Sequence, residues 1–424
     1  MVKLDEFDIE LTNPEHAYFA GQEISGRVIL ATSEPKKINE ILLEIKGRAR
    51  TYWTKDRGKS RKHCAHSEPY FLEQFNTNYT HKFGAANEER ILPPGHHEIP
   101  FSYTLPKSLP TSFEGEFGFV RYTIKALCER PWDFDIVAKR AFTVIGIEDI
   151  NSEPKLCEPV TSSECSTAIA WCCRGAGSVT AEISLPKSGY TPGEPLSISG
   201  KVSNESSRTK TVSFRFVQTI HYKAKTFAGH EEMKVQQRVI AKIPKGDVGG
   251  HETRSLAALL PLPSLCPRLG KCRIISIAYT VELEVDQTVT ASVPIVIGAI
   301  PLLSELLSHS KHRNGKARES VEQRENRLDS KDNESGAVQV TITDESGRTV
   351  DSVEADALSS ELDALLSARK RVRMPSSILS ELYPTLPSPY YRESSFGGVD
   401  ISDEKESFQF GEKNFTPKYP FYTD

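Results

Sequence analysis

Through residues 1–300 apolar and polar side chains alternate with a period of two, in stretches bounded by Gly and Pro. Phe7, Ile9 and Leu11 share one face. Ile41, Leu43, Ile45, Gly47 and Ala49 then alternate against Leu42, Glu44, Lys46, Arg48 and Arg50. This is the pattern of strands with one face on a core. It occurs twice, in the same order. HAYFAGQEISGRV (16–28) and SGYTPGEPLSISGKV (188–202) share a Tyr-x-x-Gly turn, an alternating run and a Gly two residues before a Val. Gly21 and Gly193 are expected at positive φ in the turn. Gly26 and Gly200 fall on the apolar face, where a missing side chain admits a backbone or a large ring. Val212, Phe214, Phe216 and Ile220 then answer the first long strand. Leu92 to Phe113 and Ile243 to Pro267 both end in a Leu-Pro loop. Ile277, Tyr279, Val281 and Leu283 answer Val120, Tyr122, Ile124 and Ala126, and each copy closes on Ile-Gly, at Ile145-Gly146 and Ile297-Gly298. Two homologous all-β domains in tandem follow, each an immunoglobulin-type β-sandwich.

A length of 424 residues accommodates this plan with a tail. The expected divisions are 1–150 for the first sandwich, 151–177 for a linker and edge strand, 178–300 for the second sandwich and 301–424 for the remainder. The first residues carry no apolar leader, and no run reaches the eighteen apolar residues that a membrane span needs, so a cytoplasmic protein is expected. A net charge of −4 speaks against a nucleic-acid partner. Eight cysteines spread over this length read as free thiols. Sequons at Asn78, Asn204, Asn333 and Asn414 read as chance matches; glycosylation at Asn78 or Asn204 would instead favour a secreted tandem-sandwich adhesion protein.

Between Trp53 and Tyr70 the alternation breaks, and the segment carrying Lys55, Arg57, Lys59, Arg61 and Lys62 is expected to be a loop. It reads either as an exposed tip kept soluble by charge or as a finger that meets anionic lipid or phosphate. His63, Cys64 and His66 fit no zinc spacing. Beyond residue 303 the tail mixes both charges with few apolar residues and is expected to be largely disordered. Within it, Leu358, Leu362, Leu365 and Leu366 followed by Arg369, Lys370, Arg371 and Arg373 predict a helix over 355–373. Glu361 with Leu365-Leu366 matches an acidic dileucine sorting signal, and Tyr383 with Leu386 matches the Tyr-x-x-apolar pattern read by clathrin adaptors. No nucleophile elbow, zinc-protease helix or phosphate loop is present, so no catalysis and no cofactor are expected.

Several spaced motifs carry a family resemblance. Leu92, Pro93, Gly95, Pro100, Phe101, the pairs Leu105-Pro106 and Leu109-Pro110, Gly115, Arg121, Tyr122, Lys125, Ala126 and Arg130-Pro131-Trp132 stand in the order of the arrestin N-terminal domain as found in α-arrestins. WCCRGAGSVTAEISLPKSGYTPGEPLSISGKVSN resembles the arrestin C-terminal domain. The resemblance covers residues 1 to 300. It implies a cytosolic adaptor linking membrane-protein cargo tails to endocytic sorting or ubiquitination machinery, recruited to plasma membrane or endosomes. α-Arrestin tails bear Pro-Pro-x-Tyr motifs that dock on WW domains of HECT-type ubiquitin ligases, because a polyproline II segment loses little entropy on binding. This chain has none. Its nearest approaches are LPSPYY, with Pro387, Pro389 and Tyr390, and TPKY, with Pro417 and Tyr419. A scaffold resembling the arrestin-fold retromer subunit, without ligase recruitment, is the alternative.

Overall fold

The computed structural model describes residues 4–57, 60–84, 90–131, 133–167, 177–303, 378–384, 386–402 and 409–422. They form two units, Met1–Leu302 with Pro387–Asp424, and Leu303–Leu386.

The first sandwich contains β1 (Glu6–Leu11), β2 (Ala17–Phe19), β3 (Glu23–Thr32), β4 (Lys36–Lys37), β5 (Ile41–Arg57), β6 (Ser60–Asn76), β7 (Ile91–Leu92), β8 (Gly95–Thr104), β9 (Phe113–Gly115), β10 (Gly118–Cys128) and β11 (Ile136–Ile145). The second contains β12 (Val160–Thr167), β13 (Ser178–Leu185), β14 (Gly189–Tyr190), β15 (Pro195–Asn204), β16 (Lys210–Thr226), β17 (Glu231–Val248), β18 (Glu252–Pro261), β19 (Ile275–Val285) and β20 (Val289–Ile297). In each half a short sheet, β1-β3-β8 or β12-β13-β15-β18, covers one face of a longer one. The two long sheets are continuous. β6 pairs with the end of β16 at Ala65↔Lys225 and Cys64↔Thr226, giving the order β14-β20-β19-β16-β6-β5-β10-β11-β2.

The repeated sequence features have repeated structural roles. Gly21 and Gly193 have φ of 86° and 91°. A Cβ at Gly26 would lie 2.2 Å from the Glu10 carbonyl oxygen, and one at Gly200 would lie 2.9 Å from the Phe214 ring. Both copies thus admit an aromatic ring, Phe101 at 2.9 Å in the first, where the backbone comes closer still. Tyr122 and Tyr279, both fully buried, donate their hydroxyls to carbonyls of the two Leu-Pro loops, Pro110 O at 2.6 Å and Cys266 O at 2.8 Å. A buried hydroxyl needs a partner, and here the partner pins a loop that the strand ladders leave unheld. Ion pairs tie the halves further. Glu68, buried in the first sandwich, accepts from Arg273 N at 3.0 Å and Nε at 3.3 Å, while Arg268 bridges Glu148 and Glu153.

The basic segment 55–62 is not a loop. β5 runs to Arg57 and β6 starts at Ser60, paired through Lys55↔Lys62 and Asp56↔Arg61. Here the ladder projects past its neighbours, so neither face requires apolar residues and the alternation is lost while the strands continue. His63 stacks on Tyr52 outside and Cys64 is buried within, so the His63, Cys64 and His66 trio does not converge. In the second unit a short helix spans Ile378–Leu382. The helix expected at 355–373 lies outside the described residues, as do Glu361, Leu365 and Leu366.

Candidate functional site

The last part of the tail departs from the expectation of disorder. Residues 387–402 and 409–422 fold back on the sandwiches through β21 (Tyr390–Glu393), β22 (Val399–Asp400), β23 (Phe410–Gly411), β24 (Asn414–Phe415) and β25 (Lys418–Phe421). β21 pairs with β25, and β22 with β24. The physical reason is local composition. Val399, Ile401, Phe410, Phe415, Tyr419 and Phe421 supply apolar surface that the charged stretch before them lacks.

What receives this segment is the outer edge and outer face of β11. β23 adds to that edge in parallel at Ala138 and Lys139. Gln409 N donates to Val137 O at 3.0 Å, and Val137 N donates to the Gln409 side chain at 2.8 Å. Gly411 has φ of 95°, and a Cβ there would lie 2.0 Å from Lys139 O, so only glycine allows the approach. Ile401 and Phe415 pack on Ala141, and Phe410 meets Phe7 edge-on at 6.4 Å.

Charge complements this packing. Arg140, nearly buried, is held between Asp8 and the tail's Glu412, each at 3.1 Å, and Lys418 reaches Glu15 at 3.1 Å. His16, beside these groups, has its pKa lowered by burial and by Arg140. Next to β11 the outer sheet face is basic, because period-2 alternation puts Lys46, Arg48 and Arg50 of β5 on one side with Arg121 and Lys125 of β10 and Lys139 of β11. Arg48 and Arg121 are direct cross-strand partners, a repulsive placement. It is relieved by the Phe119 ring, with guanidinium carbons 5.9 and 4.0 Å from its centre, and by two bonds from Arg121 to Glu114 at 2.7 and 2.8 Å. Burial pushes the Glu114 carboxyl above its usual range against the pull of Arg121. Over this face the tail carries Asp400, whose carboxyl is held below the usual range by hydrogen bonds from Ser402, with Lys413 and Arg121 adding.

The tail also touches the second sandwich. Tyr419 is 1 % exposed and donates to Ser112 O at 3.1 Å, the same carbonyl that faces the Cys266 thiol at 3.7 Å. Ser264 donates to Arg392 O at 2.8 Å, and Tyr422 to Ala299 O at 2.9 Å. One segment thus spans both domains at their junction.

The residues singled out from sequence are distributed unevenly here. Lys55, Arg61 and Lys62 stand on the β5–β6 hairpin with Arg57 at the end of β5, and Lys59 lies outside the described residues. Tyr383 and Leu386 form a turn, Leu386 N donating to Tyr383 O at 3.0 Å. Tyr390 and Pro389 are brought to Pro417 and Tyr419, since Tyr390 pairs with Phe421 and Arg392 with Tyr419. TPKY is not an exposed motif in this state: Tyr419 is buried, and Pro417 O accepts from Ser394 N at 2.8 Å. The docking of the tail itself escaped sequence reasoning. Its signal was the density of aromatics after residue 409.

Two sandwiches continuous through one sheet, with an extended segment laid along the first, define an arrestin-type protein. The model of the arrestin (or S-antigen) N-terminal domain matches residues 7–151, and that of the C-terminal domain matches residues 175–302. The chain belongs to the arrestin family, within it to the α-arrestins. It is 64% identical to arrestin domain-containing protein 17 of Caenorhabditis elegans over the full length of both chains. It is 27% identical to mouse arrestin domain-containing protein 4, covering 67% of this chain and 69% of that one, and 25% identical to human thioredoxin-interacting protein, covering 73% and 78%. Membership supports a general role as a protein-binding adaptor in trafficking. Among the described residues no helix is long and apolar enough to cross a membrane.

Proposed function

We propose that this chain is a non-catalytic cytoplasmic adaptor that links membrane-protein cargo to endocytic sorting or ubiquitination machinery and is carried to plasma membrane or endosomes by that cargo. The observation that supports this most is the docked tail. A site already filled by an extended segment, with ladder bonds at Val137 to Lys139, apolar seats at Ala141 and acidic groups facing Arg140 and Arg121, is chemically suited to an extended acidic peptide. A cargo tail of that character competes with the protein's own.

The test is fluorescence anisotropy of an acidic, Phe-containing peptide with the intact protein and with Tyr419→Ala, which weakens the resident tail. Tighter binding by the variant supports the reading; equal affinity, or none in either, sinks it. A second reading, a trafficking scaffold that recruits no ligase, draws on the burial of Tyr419 and the pairing of Tyr390, since a WW groove needs both motifs extended and accessible. Ligase pulldown by the intact protein beside Tyr419→Ala separates the two: capture by the variant alone favours ubiquitination gated by the tail, and capture by neither favours the scaffold.

A further inference from the structure

Two hairpins project beyond the body side by side. The ladder of β10 on β5 ends at Gly118↔Thr51, one further bond runs from Tyr52 N to Phe117 O at 2.9 Å, and β5 continues past it to Arg57. The ladder of β19 on β16 ends at Tyr222↔Ile275 with one further bond from Lys223 N to Ile274 O at 2.8 Å, and the end of β16 and the start of β17 continue past it. The two tips are fastened together by Ala65↔Lys225, by Cys64↔Thr226 and by the Lys55 to Glu232 ion pair at 2.8 Å.

Phe227, at the turn of the second hairpin, is 107 % exposed. The turn that presents it is closed by Thr226 N to His230 O and Gly229 N to Thr226 O, each 2.9 Å, so the ring is held outward by a built turn. Met233 and Tyr52, on the same outer side of the joined sheet, are exposed too. Between Thr54 and His63 the sequence has five cations and one carboxylate. The carboxylates of the tips are already matched within them, Asp56 by Arg61, Glu231 by Lys225 and Glu232 by Lys55. Lys62 and Lys223 have no carboxylate partner among the described residues.

We propose that the joined tips of the β5–β6 and β16–β17 hairpins are a contact surface for an anionic lipid bilayer. Exposed rings beside cations without carboxylate partners among the described residues suit a bilayer, which accepts a projecting ring without a pocket. Aromatic rings settle at the headgroup level. Cations within a Debye length of about 8 Å are drawn to the negative surface, by about fivefold in affinity for each one. The inference is independent of the cargo-peptide reading, because protein-free vesicles report on it alone.

The experiment is cosedimentation of the full chain with phosphatidylcholine vesicles, with and without phosphatidylserine, at low and high salt. Binding is expected only with phosphatidylserine and is expected to fall with salt. Lys62→Ser with Lys223→Ser should weaken it about 25-fold at low salt, and Phe227→Ser should weaken it at both salts. Phe134→Ser is the control, an 87 % exposed ring in the turn before β11, at the opposite end of β10 from Gly118. It should change nothing. These side chains are exposed, so unchanged melting temperatures are expected and serve as the check on folding. Failure of the intact protein to bind, binding unaffected by the tip variants, or equal loss with Phe134→Ser overturns the proposal. Variants that keep vesicle binding but lose an acidic peptide would assign the tips to protein recognition instead.

Discussion

Tyr419→Ala tests whether the tail is a detachable segment or part of the core. Truncating a fully buried aromatic in a closed core costs about 3–5 kcal/mol, of which the hydroxyl bond to Ser112 accounts for about 1 kcal/mol. For the body the loss has a ceiling. The sandwiches have their own cores and ladders, so the protein loses at most the docking free energy of residues 387–422, after which the tail leaves and β1 to β20 remain folded. A loss of about 3 kcal/mol lowers the docked-to-released ratio more than a hundredfold. Limited proteolysis followed by mass spectrometry should therefore show new cleavage between Pro387 and Tyr422 in the variant, with the urea midpoint of the body almost unmoved. Tyr419→Phe keeps the ring and should stay docked. If Tyr419→Ala leaves the cleavage pattern as it was, or if the body unfolds in step with tail release, the detachable reading is wrong.

Gly411→Val should free the β11 end of the tail, since its Cβ meets Lys139 O and its φ suits only glycine; faster hydrogen exchange at Gln409 N and Val137 N, with the Tyr419 end still protected, is the expected result. Burial would push the Glu40 carboxyl up, but hydrogen bonds from Arg90, Asn76, Thr80 and His81 bring it down to about 2 from 4.5. A depressed folded pKa means stability that is complete above 4.5 and lost as pH falls from there towards 2, so Glu40→Gln should flatten the acid limb of a stability profile, and an unchanged slope would refute it. Glu68→Ala strands the Arg273 amide where the two sandwiches meet and should cost about 1–3 kcal/mol, read as a lowered melting temperature.

Much of the body was legible because its rules are local. Alternation at Ile41 to Ala49 and at Val120 to Ala126 marks the face turned to the core, and the same alternation puts Lys46, Arg48 and Arg50 together on the other side. The turn glycines at 21 and 193 and the missing side chains at 26 and 200 followed from steric demands that a single residue reveals. Two things were not legible. Residues 55–62 look like a loop because a projecting ladder has no buried face to write a period into the sequence. The tail looks unstructured because its segments are short and its partners lie up to 403 residues away, as with Lys418 and Glu15. A segment that completes another domain's edge carries apolar residues without a repeat, and only the receiving edge explains their order.

The tail's route has a consequence for any partner that reads it. Asp400, Ile401 and Glu412 occupy the first sandwich, while Tyr419 and Arg392 sit where the first meets the second, and β21–β25 pairing joins these contacts into one segment. Under the adaptor reading, a peptide that takes the basic face of the first sandwich displaces the residues around Asp400 and Glu412, and the remaining contacts at Tyr419 must then hold the tail alone. Occupancy of the face thereby raises the fraction of molecules with TPKY exposed, while the Tyr419 end stays docked in most. Linkage requires the converse in equal measure: a domain that captures Pro417 and Tyr419 must raise the affinity of the face for acidic peptide by the same factor by which the peptide raises its own. The size of that factor is bounded by the docking free energy of the tail, because a ligand shifts an equilibrium only by its differential affinity for the two states. Measuring the peptide's affinity in the intact protein, in Tyr419→Ala and in Gly411→Val therefore measures the coupling itself, and identical values in all three would mean that the two ends of the tail do not act as one element.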